Sequence, residues 1–170
     1  MGREVRKVRP DWRHPSDGFY HGGEVRYLGK LSGSYEKAAA EYAEEAAKWE
    51  QGLESDYNGG WKPKNSAYAT ESYADYAGEP PQYDDYMPNW TPEEATHFMM
   101  YETCSEGSPI SPAFATPEEL ARWLADTGAS SFGDYTSTYD EWLRMITGDG
   151  WAVSAVITDG VIQSGVSFSK

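Results

Sequence analysis

The sequence predicts an α+β fold in which about three helices pack on a small antiparallel sheet, with a β-hairpin at the C-terminus. Three observations support this prediction. Apolar residues recur at helical spacing from Tyr35 to Leu53, a Thr-Pro-Glu-Glu motif opens another helix at Thr116, and Asp159-Gly160 joins two Val/Ile-rich runs. The length fits a single domain, 1–170, with a Tyr-, Asp- and Pro-rich irregular excursion at about 55–90.

Residues 2–14 alternate basic with apolar side chains and predict a short strand or extended arm that ends at Pro10. The favoured interpretation is that Trp12 fixes this segment to the body of the protein while its arginines neutralise nearby carboxylates. The alternative is a separate basic arm that binds a partner. Residues 24–28 predict a further short strand.

The first long helix is predicted from Tyr35 to Leu53, with Ser34 as its N-cap. Its opposite face is acidic, and two interpretations stay open: an ordinary solvated face, or part of a binding surface that continues into the next segment. Glu44 precedes Lys48 by four residues and is predicted to pair with it. The candidate binding carboxylates on this face are Glu41, Glu44 and Glu45.

The segment 55–90 has neither helical nor strand periodicity and holds four of the ten prolines. Disordered tracts are usually poor in aromatic residues, so its many tyrosines predict a partly ordered excursion fixed by Tyr and Trp side chains. Long irregular loops are often functional, and tyrosine is favoured at binding surfaces. The candidate binding residues here are Asp75, Tyr83, Asp84, Asp85 and Tyr86.

The stretch from His97 to Gly128 predicts a strand, a loop and a well-capped helix. Apolar residues occupy both faces of the strand's first half, which is typical of a central strand. Thr116 supplies the N-cap, a proline fits the first helical position, and Glu119 completes a capping box. Gly128 suits the left-handed residue that ends such a helix.

The C-terminal part predicts a third helix followed by a hairpin. Thr138 and Glu141 have the spacing of a second capping box. The last run, 151–168, then predicts a β-hairpin with Asp159-Gly160 as its two-residue turn. One face of its first arm is predicted to consist of Trp151, Val153, Ala155 and Ile157.

Net charge is the strongest global signal, at −14, and it is uneven. Residues 1–34 hold seven Lys/Arg and four Asp/Glu, whereas residues 35–170 hold seven Lys/Arg and 24 Asp/Glu. An acidic body repels nucleic acid, so direct DNA or RNA binding is not expected. The same charge can steer the protein towards a basic surface on another protein, including one that itself holds nucleic acid.

The sequence contains no catalytic motif, and it predicts no cofactor and no metal site. Its three histidines lack metal-ligand spacing. Cys104 lies close to Glu102 and Glu106, which disfavour a reactive thiolate, so a structural or incidental cysteine is favoured over a nucleophile. An enzyme built from carboxylates and tyrosines without a local motif stays open. With no signal peptide and no apolar run of about 20 residues, we expect a soluble, cytoplasmic protein without membrane contact.

Six short motifs stand out at the two ends of the chain. They are Gly2-Arg3-Glu4-Val5-Arg6, Trp12-x-His14-Pro15, Tyr101-Glu102-Thr103, Gly107-x-Pro109-Ile110-Ser111-Pro112, Ala115-Thr116-Pro117-Glu118-Glu119-Leu120 and Ser154-Ala155-Val156-Ile157. Together they resemble a family of small acidic proteins encoded by bacteriophages and prophages. The resemblance covers roughly half the chain and leaves out about 18–86. It implies a phage protein made in the host bacterial cytoplasm, and no catalytic residue is carried over.

Charge and resemblance together lead to a functional hypothesis: an acidic phage protein that inhibits a host nucleic-acid-binding defence complex, as anti-CRISPR proteins and DNA mimics do. Its carboxylates would replace phosphates on the partner's basic surface, and tyrosine rings would add contact area. The expected partner-binding residues are Glu41, Glu44, Glu45, Asp75, Tyr83, Asp84, Asp85 and Tyr86. Two alternatives stay open, an enzyme that modifies a host protein and a phage structural or assembly factor.

Overall fold

The structure is a computed structural model that describes residues 2–21, 24–103 and 107–169. It confirms the predicted α+β class, with helices and antiparallel sheets. The chain forms two compact units, which we call the sheet unit (Met1–Leu31 with Pro88–Lys170) and the aromatic unit (Ser32–Met87). Whether both units act as the predicted single domain stays a prediction.

The described residues form twelve strands, four α-helices and three short 3₁₀ turns. The strands are β1 (Arg3–Val8), β2 (Ser16–His21), β3 (Glu24–Tyr27), β4 (Leu53–Ser55), β5 (Trp61–Pro63), β6 (His97–Glu102), β7 (Ser108–Pro109), β8 (Ser130–Phe132), β9 (Tyr135–Thr136), β10 (Trp151–Ala152), β11 (Ala155–Thr158) and β12 (Val161–Ser164). The helices are α1 (Tyr35–Glu50), α2 (Tyr73–Ala77), α3 (Pro117–Asp126) and α4 (Tyr139–Thr147), and the 3₁₀ turns are Ser66–Tyr68, Tyr83–Asp85 and Gly165–Phe168. Among the described residues, no helix combines the length and the apolar character needed to cross a membrane.

The sheet unit is built around a four-stranded antiparallel sheet in the order β10-β1-β6-β7. The N-terminal strand β1 is therefore central, paired on both sides, and the alternative of a separate basic arm is wrong. Its arginines meet carboxylates as expected: Arg6 Nε lies 2.9 Å from Glu4 Oε2, and Arg3 Nη1 lies 4.0 Å from Glu102 Oε2. Strand β6 is central too, as its two apolar faces predicted.

The core of the sheet unit lies between β6 and the helices α3 and α4. Both predicted capping boxes are present, with the hydroxyls of Thr116 and Thr138 accepting from the third backbone N–H of their helices. Gly128 has the left-handed φ of +64° expected after α3. The fully buried side chains of this core include Met100, Leu120, Leu124, Trp142 and Met145.

The C-terminal hairpin is present but shorter than predicted. Strands β11 and β12 pair around Asp159-Gly160, whose φ values are both positive, as a two-residue hairpin turn requires. Trp151 and Ala152 pair with β1 instead of extending the first arm. The predicted face of the first arm is largely exposed: Ile157 is 70% exposed on the two-stranded hairpin, which lies outside the four-stranded sheet, and Trp151 is 50% exposed on the edge strand β10.

The aromatic unit consists of α1, the short β4–β5 hairpin, α2 and two 3₁₀ turns. Ser34 caps α1 as predicted, accepting from the backbone N–H of Lys37 at 3.2 Å. The helix ends at Glu50 rather than at Leu53, because Gly52 adopts a left-handed φ of +76° and Leu53 begins β4. Helix α2, which Ser72 caps, was not predicted within 55–90.

Candidate functional site

Three aromatic side chains lie on one face of α1, each seven residues after the last. Seven residues are close to two helical turns, so Tyr35, Tyr42 and Trp49 form a single row, which we call the aromatic stripe. Side chains from the segment 55–90 pack on this row in three places. Between ring centroids, Tyr35 lies 5.4 Å from Tyr83 and 5.9 Å from Tyr86, Tyr42 lies 5.0 Å from Tyr73, and Trp49 lies 4.3 Å from Tyr76. The tyrosine and tryptophan contacts expected for the excursion are present, and its ordering by them stays a prediction.

Trp49 is the most enclosed side chain of the aromatic unit, with 1% of its surface exposed. Its indole Nε1 donates to the backbone carbonyl of Glu71 at 2.8 Å, which satisfies its only polar group. The ring stacks on Tyr76, and the Nζ of Lys64 lies 4.5 Å from its centroid. The folded segment is therefore attached to α1 mainly at this residue.

The three predicted carboxylates of α1 lie together beside the aromatic stripe. Glu41, Glu44 and Glu45 have the i, i+3, i+4 spacing that shares one helix face. They line an open groove of about 630 Å³, the acidic groove, whose other walls include Tyr42, Tyr73, Trp61 and Pro81. Glu41 and Glu44 are exposed, and Glu45 is half-buried.

The groove's carboxylates have few positive neighbours. The ammonium of Lys37 lies 3.7 Å from Glu41 Oε1, an exposed pair of little energetic weight. The predicted pairing of Glu44 with Lys48 is wrong: Lys48 Nζ lies instead 5.8 Å from the ring centroid of Trp61, where the ring face attracts it. Much of the groove's negative charge is thus available to a partner.

Glu45 is held in place by Tyr73, whose hydroxyl donates to its Oε2 atom. Burial, followed by the hydrogen bond to Glu45, raises the pKa of Tyr73 above its usual value. The phenol therefore stays protonated at neutral pH and keeps donating. This bond fixes the orientation of a half-buried carboxylate between two concave surfaces.

The remaining predicted binding residues lie elsewhere in the aromatic unit, and none of them lines the groove. Tyr83 and Tyr86 pack against Tyr35 in the first turn of α1, and Asp84 and Asp85 are exposed on the adjoining 3₁₀ turn. Asp75 is committed to the N-terminus of α2, where it completes the capping box with Ser72. The predicted surface therefore divides into the acidic groove and a Tyr/Asp patch, with Asp75 in a structural role.

A second concavity adjoins the groove and shares Glu45, Trp61 and Tyr73 with it. It encloses about 190 Å³, and we call it the aromatic pocket. It is lined by five aromatic and two acidic residues together with Leu53 and Ser55; the aromatic and acidic residues are Trp49, Tyr57, Trp61, Tyr73, Tyr76, Glu45 and Glu54. Sequence reasoning missed Trp61, Tyr57 and Glu54, although the seven-residue spacing of the stripe was a usable sign that an aromatic surface forms here.

The sheet unit contains a buried polar cluster at His14. Its Nε2 lies 2.6 Å from the Leu28 carbonyl oxygen, so this nitrogen bears the proton, and Nδ1 accepts from the Tyr101 hydroxyl at 3.3 Å. Burial lowers the pKa of His14 and raises that of Tyr101 to about 12. Both ring nitrogens are thus engaged in fixing the fold. No group of three metal-ligating side chains occurs in the parts of the chain described, and Cys104 lies outside them.

No protein-family model, curated protein or solved structure matches this chain. The geometry and charge of the aromatic unit are therefore the basis for a functional interpretation. Its two adjoining concavities combine carboxylates with aromatic rings, a lining suited to positively charged groups.

Proposed function

We propose that this is a phage-encoded protein that binds and inhibits a host nucleic-acid-binding defence complex, in the manner of anti-CRISPR proteins that imitate DNA. The observation on which this rests is the acidic groove, where three neighbouring carboxylates line one concave surface. In this proposal they take the place of phosphates on the partner's basic channel. The phage origin rests on the resemblance of the two chain ends.

The charge of the aromatic unit supports a basic partner. Ser32–Met87 holds twelve Asp/Glu and four Lys/Arg, a net charge of −8 in about a third of the chain. The rest holds sixteen Asp/Glu and ten Lys/Arg, a net charge of −6. A concentrated negative field accelerates the approach of a positive surface and repels free nucleic acid.

The exposed tyrosines add contact area to this charge. Eight of the thirteen tyrosines fall in the aromatic unit, and Tyr83 is 57% exposed beside Asp84 and Asp85. Rigid rings with a polar tip supply much of the binding energy at protein interfaces, while rim carboxylates mainly set the rate and the salt dependence of association. The Tyr/Asp patch would extend the interface beyond the groove.

The test is a pull-down from phage-infected host lysate with the tagged full chain. The wild-type protein is expected to retain a nucleic-acid-binding protein that added DNA or raised salt displaces. The double variant Glu41→Lys/Glu44→Lys is expected to lose roughly ten-fold or more of that partner, because two exposed groove carboxylates become positive. Quantitative mass spectrometry of the retained protein measures the difference.

The matched control is Glu93→Lys/Asp134→Lys, which changes net charge equally at exposed positions in the sheet unit. It should retain the partner nearly as well as the wild type. If both variants lose the same amount of partner, net charge alone explains the binding and the groove is not the site. Full retention of the partner by the groove variant would refute the proposal. Recovery of capsid or tail proteins instead would favour an assembly factor, and inactivation of a target at far below one protein per target would favour an enzyme.

A further inference from the structure

We propose that the aromatic pocket binds a single arginine side chain of the partner, so that the acidic groove attracts a basic segment and the pocket fixes its register. This inference rests on the proposed function, since the arginine is taken to belong to the same partner. It goes further by naming the side chain and the cavity that receives it. All of the residues concerned lie within the aromatic unit.

The size and lining of the pocket suit one planar cation. About 190 Å³ accommodates a side chain rather than a folded segment, and five of the residues that line this volume are aromatic. The faces of such rings are electronegative and attract a guanidinium group, most strongly where water is partly excluded. Glu45 and Glu54 also line it, so the pocket combines aromatic residues with negative charge.

The chain's own lysines show that the rings around the pocket attract cations. Lys64 Nζ lies 4.5 Å from the ring centroid of Trp49, and Lys48 Nζ lies 5.8 Å from that of Trp61. Neither lysine lines the pocket. The outer surfaces of the cluster thus already have positive neighbours, while the interior remains a cavity.

The two carboxylates differ in what they can still bind. Glu54 already accepts from the backbone N–H of Asn65 at 3.1 Å and lies 3.0 Å from the ammonium of Lys62. Glu45 receives only the Tyr73 hydroxyl, on Oε2, and its Oε1 has no hydrogen-bond partner among the described residues. A cation entering the pocket would therefore find its acceptor at Glu45.

An arginine fits these features better than a lysine does. Its guanidinium is flat, stacks on aromatic faces, is weakly hydrated and directs several N–H donors in its own plane. It can lie against a ring and donate to Glu45 at the same time. A lysine ammonium is a strongly hydrated point charge, and losing its hydration in a cavity lined largely by aromatic residues would cost it more free energy than it would cost a guanidinium.

Tyr57 forms the outer wall, and its backbone is unusual. Its φ of +63° is in the left-handed region, which is uncommon for a residue other than glycine, and its side chain is 83% exposed. Asp56 supports this conformation because its Oδ1 accepts from the backbone N–H groups of Asn58 and Gly60, both at 2.8 Å. A hydrogen bond with Tyr57 also raises the pKa of Tyr76. The β4–β5 turn thus places an aromatic ring at the pocket entrance.

The test is a titration of the ¹⁵N-labelled full chain with the capped tripeptide acetyl-Gly-Arg-Gly-amide. The backbone amides of the pocket residues and the indole N–H signals of Trp49 and Trp61 report binding. One side chain is expected to bind with a dissociation constant on the order of 1 mM, so a titration to about 50 mM detects it. The citrulline tripeptide, which has the same shape without the charge, should shift these signals far less, and the lysine tripeptide should bind several-fold more weakly.

Two matched variants locate the site. Glu45→Gln removes the charge but still accepts from Tyr73, and it should weaken arginine binding roughly five-fold. Glu50→Gln removes one exposed charge of α1 at a position that lines neither the groove nor the pocket, and it should leave the affinity within about two-fold of the wild type. The absence of pocket shifts, equal binding of arginine and citrulline, a preference for lysine, or equal effects of the two variants would each overturn the proposal.

The failure of this proposal can be told apart from that of the proposed function. If the tripeptide does not bind but Glu41→Lys/Glu44→Lys still loses the partner, the pocket is refuted and the groove stands. If the tripeptide binds the pocket but no basic partner is recovered, the arginine site stands and the inhibitor function fails.

Discussion

The two units of this protein differ in how deeply they bury their aromatic and aliphatic side chains. In the sheet unit, Met, Leu and Trp side chains from β6, α3 and α4 are fully buried in one core. In the aromatic unit, Trp49 is the only buried residue among those described, although the unit holds eight tyrosines. The sheet unit has a fully buried core besides its exposed C-terminal hairpin, whereas most aromatic rings of the aromatic unit stay partly or largely exposed.

This difference indicates where stability and binding reside. Burial of apolar area is the main source of folding free energy, so the sheet unit has the larger reserve. Aromatic pairs contribute about 0.5–1.5 kcal/mol each beyond area burial, and the aromatic unit depends on a few of them. The rings that hold the aromatic unit together also line its groove and pocket, which makes it the part of the chain suited to a partner.

The largest effect is expected from Trp49→Ala. Removing a buried aromatic side chain costs about 3–5 kcal/mol, and here it deletes the only buried residue of the unit. Hydrogen exchange followed by mass spectrometry should show a loss of protection concentrated in residues 32–87, because Trp49 contacts Lys64, Glu71 and Tyr76 within that range. The half-buried Trp61→Ala is the control and should cost clearly less. Equal loss throughout the chain would show that both units unfold together as one domain.

A smaller effect is expected from Gly165→Ala, which tests the close packing of the sheet unit. A Cβ at this buried glycine would lie far inside van der Waals contact with the Val153 carbonyl oxygen, and such overpacking typically costs about 1–3 kcal/mol. Urea denaturation measures the loss. In the aromatic unit, a Cβ at Gly33 would meet its nearest atom, on Tyr86, at 4.0 Å, so Gly33→Ala should be nearly neutral. A tolerated Gly165→Ala would contradict the proposed difference in packing.

The smallest effect is expected from Glu141→Ala and should depend on pH. Burial acts to raise the pKa of Glu141, but hydrogen bonds, chiefly from the Thr138 backbone N–H, outweigh it and lower the pKa below its usual value. A carboxylate with a lowered folded-state pKa stabilises the fold above its unfolded pKa of about 4.3, and this contribution is lost as pH falls through the folded value.

Thermal unfolding should therefore show a loss of about 1 kcal/mol for Glu141→Ala at pH 7 and a smaller one at pH 3. Glu118→Ala is the control, since Glu118 is an exposed first-turn carboxylate outside the capping box of α3. A difference for Glu141→Ala that is unchanged at pH 3 would mean that its charged form adds nothing to the cap.

Local signals predicted the sheet unit well. Capping boxes, a left-handed glycine and an Asp-Gly turn act over three or four residues, so Thr116, Thr138, Gly128 and Asp159 could each be interpreted correctly from the sequence. Segments whose partners are distant were predicted less well. The pairing of Trp151 and Ala152 with β1, which shortens the hairpin, depends on residues about 150 positions away.

The candidate site shows the same division. Helical geometry places Glu41, Glu44 and Glu45 on one helix face, so the sequence spacing alone predicts that these three carboxylates of the groove lie together. The pairing of Glu44 with Lys48 also followed from spacing, yet it does not form, because the ring of Trp61 lies beside Lys48. Asp75 is predicted to bind a partner because of its charge, while its position in the first turn of α2 gives it a capping role.

By itself, the sequence determined the α+β class, the helix caps, the hairpin turn and the concentration of acidic charge, because these depend on composition and on neighbours within one or two turns. Tertiary structure alone decided that β1 is a central strand, that Tyr73 orients Glu45, and that five aromatic residues line one pocket. Those features join residues far apart in the chain. Their free energy comes from burial and from hydrogen bonds formed only when the chain has folded, so no local pattern records them.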